Sequence, residues 1–507
     1  MSLSILIWLP AAVALVSALA VPRAWAGRLV ALGSLAALGI AIGYVAGFDH
    51  GRAGLQWETN RMWISSLGIH YKLGLDGLNL FLVLLTTIIF LAAILAANLR
   101  EWERPNLFYF HLGLAESAVL GAFCAQDLIL FVAFFDLMLI PFFFLTGSWG
   151  GPDRVRATIK LVIYTLAGSL LMLAAAVAAG ILAQSQTGAP LSYAFSDLAA
   201  HPLHLGSQEW IVLLFAAAFF VKMPAFPLHG WLPDGYRNMP IPALAAFSGV
   251  LSKVAAYGFL RIVLPLFPGG AVHFQELFLL IALASILYGS AMAFTTTQAR
   301  LVVGYSSVAQ LGFITLGVFS LQRSGEQGAL LQMFNHGLVT APLLFIVALL
   351  AVRAGGSEDL RDMGGIAFRA PVLAAIFLIV ALATLAMPGS SNFVGEFFIL
   401  LGAFQSKIVI AIVAFAGVVM ASVYMLRAFI RMMHNRVGSK VESFDVALGD
   451  RVVLVPLALA IIALAVYPQV ALRRSQATVY SIVKPQGGLV ASAAHGAPLT
   501  ASTAGKP

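Results

Sequence analysis

Long apolar runs recur along this sequence, and they limit what the chain can fold into. One of them, LFLVLLTTIIFLAAILAA, holds no charged residue. A run of about 20 apolar residues matches the hydrocarbon thickness of a bilayer, where only helices or closed barrels satisfy the backbone. Charged residues make up only 10% of the 507 residues, against about 25% in soluble domains. The sequence therefore predicts an all-α polytopic membrane protein.

The order of apolar runs and polar connections predicts fourteen transmembrane helices. Their approximate limits are 3–21, 28–47, 77–97, 106–124, 127–147, 159–183, 209–231, 241–264, 273–295, 301–320, 327–352, 371–404, 407–432 and 452–471. Longer connections are predicted at 48–76 and 184–208. The segment after Pro485 is rich in Gly, Ala, Ser and Thr, which predicts a mobile C-terminal tail.

Lys and Arg are divided unevenly between two sets of loops. Loops after odd-numbered helices carry sixteen of them, and loops after even-numbered helices carry four, namely Arg52, Arg61, Lys72 and Arg323. Because cytoplasmic loops are enriched in Lys and Arg, the odd loops are predicted to be cytoplasmic and both termini to face outward. This bias accounts for much of the net charge of +8, so the charge does not require a nucleic-acid partner.

A small set of ionisable residues falls inside the predicted helices. Placing a Lys or an Asp at mid-membrane costs roughly 2.5–3.5 kcal/mol, so such residues face the bundle interior and find partners. Glu116 and His111 are interpreted as structural. The residues interpreted as functional are Asp136, Lys222, Lys253, His336 and Glu396.

Two of the predicted helices contain prolines that interrupt them. In FFVKMPAFPLHGWLPD, Pro224 and Pro227 follow Lys222, and in TLATLAMPGSSNFVGEFFIL, Pro388 precedes Glu396. Proline removes an amide donor and clashes with the preceding turn. We therefore expect discontinuous helices seven and twelve, with backbone groups freed for water or ions near mid-membrane.

The spacing of polar residues indicates an internal duplication. Asp136 and Lys222 are 86 residues apart, and so are Gln310 and Glu396. The repeats are predicted as helices four to eight and nine to thirteen. Asp136 is the expected partner of Lys222, and further polar residues are expected to complete a proton route: Ser252, Lys253, Ser306, Ser307, Gln310, Asn335 and His336.

Several motifs resemble a known family, the antiporter-like membrane subunits of NADH-quinone oxidoreductase (respiratory complex I). They are KMPAFPLHGWLPD, SGVLSKVAAYGFLR, VGYSSVAQLGFITLGV, MFNHGL and AMPGSSNFVGEF, and the resemblance covers roughly residues 70–435. It implies fourteen helices, two inverted five-helix repeats and one proton channel. It also implies a multi-pass location in the bacterial inner membrane.

Carried over by motif, the resemblance assigns the family's titrating residues to the five positions already singled out. The helix-five acid falls on Asp136, the broken-helix lysine on Lys222 and the helix-eight lysine on Lys253. The histidine of the HGL motif falls on His336, and the helix-twelve acid on Glu396. The family usually has Glu in place of this Asp, and commonly His where this chain has Gln310.

The resemblance implies a proton-translocating subunit, with NADH oxidation and quinone reduction on partner chains. With a single cysteine, this chain cannot hold an iron–sulfur cluster; no cofactor or metal is expected on it, and FMN, the clusters and quinone are expected on partners. Those partners include other antiporter-like subunits. Open alternatives are a subunit of a multisubunit Na⁺/H⁺ antiporter, of a membrane-bound hydrogenase or of a CO₂-uptake complex, and a passive spacer.

The expected division of the chain has four parts. Residues 1–105 hold the first three helices, and 106–264 and 273–435 hold the two five-helix repeats. Residues 436–507 hold the last helix and the C-terminal tail.

Overall fold

The computed structural model describes residues 2–438, 441–442 and 444–494. The helices in this part of the chain are α1 (Leu3–Ala20), α2 (Arg23–Gly47), α3 (Leu80–Ala97), α4 (Pro105–Cys124), α5 (Leu128–Leu137), α6 (Leu139–Trp149), α7 (Arg154–Thr187), α8 (Phe195–Ala200), α9 (Leu205–Lys222), α10 (Leu232–Asn238), α11 (Ile241–Ala246), α12 (Ser252–Gly258), α13 (Leu264–Leu266), α14 (Pro268–His273), α15 (Gln275–Thr295), α16 (Ala299–Phe319), α17 (Arg323–Arg353), α18 (Pro371–Thr384), α19 (Ser391–Ser406), α20 (Ile408–Met433), α21 (Leu448–Val466) and α22 (Gln469–Ala494).

These helices form the predicted membrane bundle. Within the described residues, thirteen helical stretches are long and apolar enough to cross a bilayer. Two of them join several helices: α5 with α6, and α11 to α13 as one stretch, Ile241–Leu266, with two π-helical segments. The interrupted pair α18 and α19 supplies the fourteenth crossing, in agreement with the prediction. An even number of crossings returns the chain to the side on which α1 begins.

Three helical stretches form the centre of the bundle. The apolar windows of Ile241–Leu266 and α16 are entirely buried, and that of α17 is nearly so. Glycines let the surrounding backbones approach closely: a Cβ on Gly289 of α15 would lie 2.7 Å from the amide nitrogen of Ala309 in α16. Such small-residue contacts are the usual basis of helix packing in lipid. The central helices therefore hold their polar side chains away from the lipid.

A β-hairpin occupies part of the predicted connection 48–76. Strand β1 (Gln56–Ile64) pairs antiparallel with β2 (Ile69–Leu75). At the turn, Gly68 has φ +62°, and a Cβ there would lie 2.0 Å from the carbonyl oxygen of Leu191. The first strand, QWETNRMWI, contains Trp, Thr and Ile, residue types that favour strands, although apolar and polar residues do not alternate along it. The sequence-based prediction placed only a connection at 48–76 and missed this hairpin.

Helix α22 follows the last membrane crossing and replaces part of the predicted tail. The structure ends α21 at Val466, earlier than the predicted 471, and α22 continues to Ala494. Its buried side chains Leu472, Ser475 and Val479 recur at helical spacing. Thr478 accepts a hydrogen bond from the backbone N–H of Gly77 at 3.1 Å. Residues 495–507 of the predicted mobile tail lie outside the described residues.

Asp445 ties the segment before α21 to the first turn of α18. Its carboxylate accepts the backbone N–H groups of Val372 at 3.0 Å, Leu373 at 3.1 Å and Val446 at 2.8 Å. Burial raises the pKa of Asp445, but these donors, with help from Arg451, outweigh it and hold the pKa below its usual value. The ionised carboxylate therefore stabilises the start of α18.

Replacing Asp445 by Ala is expected to lower the free energy of unfolding by about 1 kcal/mol at neutral pH, because a helix cap is lost. Because the folded pKa lies below the unfolded one, the contribution is present above about pH 4 and fades as the pH falls through the folded pKa. Thermal unfolding in detergent across pH measures this difference. Asp153→Ala is the control, because the Asp153 side chain makes no capping bond at α7. Equal losses in the two variants would contradict the capping role.

Candidate functional site

The first helix break places Lys222 at the end of α9. Trp231 donates its indole N–H to the carbonyl oxygen of Val221 at 2.9 Å, and the N–H of Ala225 reaches the carbonyl oxygen of Phe220 at 2.9 Å. Pro224 has no N–H to offer. The break predicted at this proline is confirmed, and protein donors take up at least two of the carbonyl groups beside it.

Lys222 is buried beside the helix that carries Asp136. Its Nζ donates to the carbonyl oxygen of Phe135 at 2.9 Å and lies 4.0 Å from the centre of the Phe135 ring. Asp136 is close enough to interact electrostatically with Lys222, but the two do not form an ion pair within 4.0 Å. The predicted pairing is therefore corrected: the direct partner is the preceding carbonyl group.

Asp136 itself is half-buried on α5, and its Oδ1 atom has no hydrogen-bond partner within the described part of the chain. A buried carboxylate oxygen without a partner is costly. Asp136 therefore offers an acceptor that a shift of Lys222, or a water molecule, can use.

Lys253 lies on α12 between the π-helical segments Phe247–Leu251 and Phe259–Val263. The side chain is fully buried, and Nζ donates to the carbonyl oxygen of Ser248 at 2.6 Å. π-Helical turns free backbone carbonyls from the regular ladder and often occur at functional sites. Here a π-helical turn supplies the acceptor for a lysine that cannot reach the membrane surface.

His336 lies on α17 within electrostatic range of Lys253. It is 3% exposed, and no residue in the described ranges forms a hydrogen bond with its Nδ1 atom. Two positive charges this close in a low dielectric repel strongly. A positive charge on Lys253 therefore disfavours a second positive charge on His336.

Glu396 on α19 forms a cluster with two buried amides. Its Oε1 accepts from Gln310 Nε2 at 2.8 Å and from Gln332 Nε2 at 3.3 Å, and Gln332 Nε2 also donates to Gln310 Oε1 at 2.8 Å. The other carboxyl oxygen, Oε2, makes no hydrogen bond to any residue described in the structure. The amides fix the orientation of the carboxyl group and leave one oxygen open for a proton or for water.

The second break, between α18 and α19, contains buried polar groups that have no hydrogen-bond partner in residues 2–438, 441–442 and 444–494. The amide of Asn392 and the hydroxyls of Ser390 and Ser391 are among them, while Asn335 donates to the carbonyl oxygen of Ser391 at 2.6 Å. Ordered water commonly serves groups of this kind. This break, as predicted, provides a polar environment close to Glu396.

Sequence reasoning missed two residues near Glu396. Gln332 lies one helical turn before His336, a spacing that could have drawn attention to it. Tyr424 of α20 hydrogen-bonds Ser306 at 2.8 Å and interacts electrostatically with Glu396. No motif pointed to it, because α20 is a peripheral helix of mostly lipid-facing residues.

The residues interpreted as structural lie away from this set. Glu116 accepts a hydrogen bond from Ser34 at 3.0 Å, and His111 stacks on Phe144 with ring centres 4.8 Å apart. In residues 2–438, 441–442 and 444–494, no three His, Cys, Asp or Glu side chains group as a metal site requires. The arrangement of the site suits proton movement between buried groups.

Gly337, next to His336, sets the distance between α17 and the stretch that carries Lys253. A Cβ at this position would lie 2.4 Å from the carbonyl oxygen of Gly249. Gly337→Ala is therefore expected to cost about 1–3 kcal/mol of stability, because backbone must move to make room. Thermal unfolding in detergent measures this, with Gly43→Ala in α2 as the control, since its Cβ would meet no atom within 4 Å. A Gly337→Ala protein as stable as the control would contradict the close approach.

Residues 125–438 match the family described as NADH:quinone oxidoreductase/Mrp antiporter, TM. The chain belongs to this family. It is 35% identical over 474 residues to NADH-quinone oxidoreductase subunit M of Escherichia coli (strain K12), which covers 91% of this chain and 92% of that protein. It is also 35% identical to NADH-quinone oxidoreductase subunit M of Rhodobacter capsulatus, and the alignment covers 84% of each chain.

Solved structures of the family show the same fold. A chain of respiratory complex I from Thermus thermophilus with bound NADH superposes with a TM-score of 0.88 at 32% identity, covering 96% of this chain and 100% of that one. A chain of the Mrp complex from Dietzia sp. DQ12-45-1b gives 0.81 at 21% identity, covering 95% and 98%. The second likeness shows the fold alone.

Proposed function

We propose that this chain is the M-type, proton-translocating membrane subunit of an NADH:quinone oxidoreductase. The observation that carries the proposal is a set of buried ionisable residues, Lys222, Lys253, His336 and Glu396, inside a bundle of apolar helices. Ionisable residues retained at membrane depth mark ion or proton pathways. Relatives that cover most of the chain bear the name of this subunit.

The proposed route passes through both predicted repeats, 106–264 and 273–435. Lys222 and Asp136 respond first to a change in charge, because Lys222 has a carbonyl acceptor on one side and a carboxylate within electrostatic range. Lys253 and His336 pass the proton at the centre of the bundle. Glu396 releases it on the opposite side.

The route must be gated, since each proton works against about 2.3 kcal/mol per 100 mV. Coupled protonation of Lys253 and His336 supplies one gate, because a proton on one disfavours a proton on the other. With odd loops in the cytoplasm, as the Lys and Arg distribution predicts, protons enter from the cytoplasm and leave outward.

Electron transfer is proposed to occur entirely on partner chains, which carry FMN, iron–sulfur clusters and quinone. The chain contributes no cofactor in this scheme and packs beside other antiporter-like subunits in the bacterial inner membrane. Charge changes at the redox arm then reach this chain through its neighbours.

Purification of the native assembly in mild detergent, followed by identification of its chains, tests the proposal. Flavin and iron–sulfur chains with NADH:quinone activity are expected. An assembly of membrane chains alone, exchanging Na⁺ for protons, would replace the proposal with the antiporter alternative. Hydrogenase or CO₂-uptake partners would place the chain in one of those complexes.

A further inference from the structure

A cavity of about 210 Å³ lies at one end of the bundle, away from the candidate proton route. It opens between the ends of α3 and α17 and the starts of α11 and α21. The residues that line it include Leu99, Arg100, Ala348, Val352, Arg353, Phe444, Asp450 and Leu454. The wall is thus mostly apolar, with two guanidinium groups and one carboxylate.

Arg353 is the buried polar group of this cavity. It is 0% exposed; its Nε donates to the carbonyl oxygen of Phe444 at 2.8 Å and its Nη1 to that of Leu349 at 2.7 Å. The guanidinium lies 4.3 Å from the centre of the Phe444 ring. The remaining nitrogen, Nη2, has no hydrogen-bond partner among the residues that the structure describes. A buried charged donor without an acceptor is costly, so a ligand that accepts this bond is favoured.

The charges at the cavity favour an anion. Arg100 and Arg353 contribute two positive charges and Asp450 one negative charge, which leaves a net charge of plus one among the lining residues. Asp450 and Asp445 both act electrostatically on Arg353. However, Asp445 does not line the cavity, and its oxygens are engaged by backbone N–H groups.

We propose that this cavity binds the phosphate group of an anionic phospholipid. Arginine suits phosphate because its planar fork of donors matches the phosphate oxygens. The rim is apolar and exposed, with Val352 at 53% and Leu99 at 47%, so acyl chains lie along it while the cavity holds the headgroup. Basic pockets between membrane helices on the cytoplasmic side bind anionic headgroups in this manner.

Two variants test the site in the intact native complex. Arg100→Gln removes one charge without breaking a hydrogen bond of Arg353, and Ala348→Phe fills the cavity without changing charge. After delipidation and addition of phosphatidylglycerol, lipid bound per complex is measured by native mass spectrometry. Arg100→Gln is expected to weaken retention about fivefold, the effect of one basic residue beside an anionic headgroup, and Ala348→Phe is expected to weaken it because it occupies the cavity. Arg23→Gln, an exposed arginine outside the cavity, is the control and should not change retention.

Two further ligands separate the possible sources of the phosphate. Phosphatidylcholine carries the same phosphate but no net charge, so it should bind more weakly than phosphatidylglycerol; equal binding of the two lipids would overturn the preference for an anionic lipid. Inorganic phosphate at the same concentration should not displace phosphatidylglycerol, and displacement would overturn the lipid assignment. Retention of phosphatidylglycerol that is unchanged in both variants would overturn the site itself.

Discussion

Replacing Lys222 by Ala is expected to abolish NADH-driven proton pumping while the complex still assembles. Lys222 is buried, and its ammonium makes one hydrogen bond, to the carbonyl group of Phe135. Removing a buried charge also removes its desolvation cost, so the fold does not depend on that charge. Proton pumping does depend on that charge, because no other lysine lies at the break that follows α9.

The loss should be about a hundredfold, the size of effect that a positioned proton-transfer group supplies. Pumping is measured in vesicles containing the assembled complex, as the rate of NADH-driven acidification per complex. Subunit content is checked first, so that failed assembly is not mistaken for lost function. An assembled Lys222→Ala complex that pumps at the normal rate would refute the role of Lys222.

Two substitutions show which property of Lys222 matters. Lys160→Ala is the matched control, since Lys160 pairs with Asp234 at 2.8 Å while partly exposed, and pumping should be unchanged. Lys222→Arg keeps the positive charge but cannot release a proton at physiological pH. Loss of pumping in Lys222→Arg means that Lys222 titrates, and retained pumping means that it acts only by its charge.

Most of the fold followed from the sequence because the bilayer allows so few alternatives. The fourteen crossings and both interruptions were predicted, since proline cannot continue a helix ladder at Pro224 or Pro388. The hairpin β1–β2 and helix α22 were not, because both lie outside the long apolar runs on which the prediction rested. Neither crosses the membrane, so hydropathy does not detect them.

The 86-residue spacing proved informative about the site. Gln310 and Glu396 are joined directly by a 2.8 Å hydrogen bond. At the equivalent place, Lys222 bonds the carbonyl oxygen of Phe135, one residue before Asp136. The same interval thus brings helices together in the same way in both halves, and it favours the proposed repeats. The partner atom differs between the two halves, because the spacing of residues along the chain does not encode which acceptor atom a side chain reaches.

Other parts of the site could not be predicted from the sequence. The acceptor for Lys253 is a backbone carbonyl exposed by a π-helical turn, and no residue pattern in SGVLSK marks that turn. Gln332 and Tyr424 reach Glu396 from two further helices. Which faces of distant helices meet depends on packing, and packing is not visible in one sequence.

Replacing Glu396 by Gln is expected to stop pumping without loss of stability. Glutamine has nearly the same shape, and its amide oxygen can still accept from Gln310 and Gln332, so the hydrogen bonds at Oε1 survive. What disappears is the ability to bind and release a proton. Pumping should fall about a hundredfold, with the thermal unfolding temperature unchanged.

Glu326→Gln is the matched control for this substitution. Glu326 is fully buried on α17, and Glu396 is nearly fully buried on α19. Unlike Glu396, Glu326 makes no hydrogen bond through its carboxyl oxygens to the residues of the proposed route. Pumping by Glu326→Gln should stay close to that of the unmodified complex. If both variants lose pumping equally, burial of any acid in this half matters more than its position, and the route through Gln310, Gln332 and Glu396 is wrong. If only Glu396→Gln loses pumping, the amide cluster orients the carboxyl group through which the proton leaves.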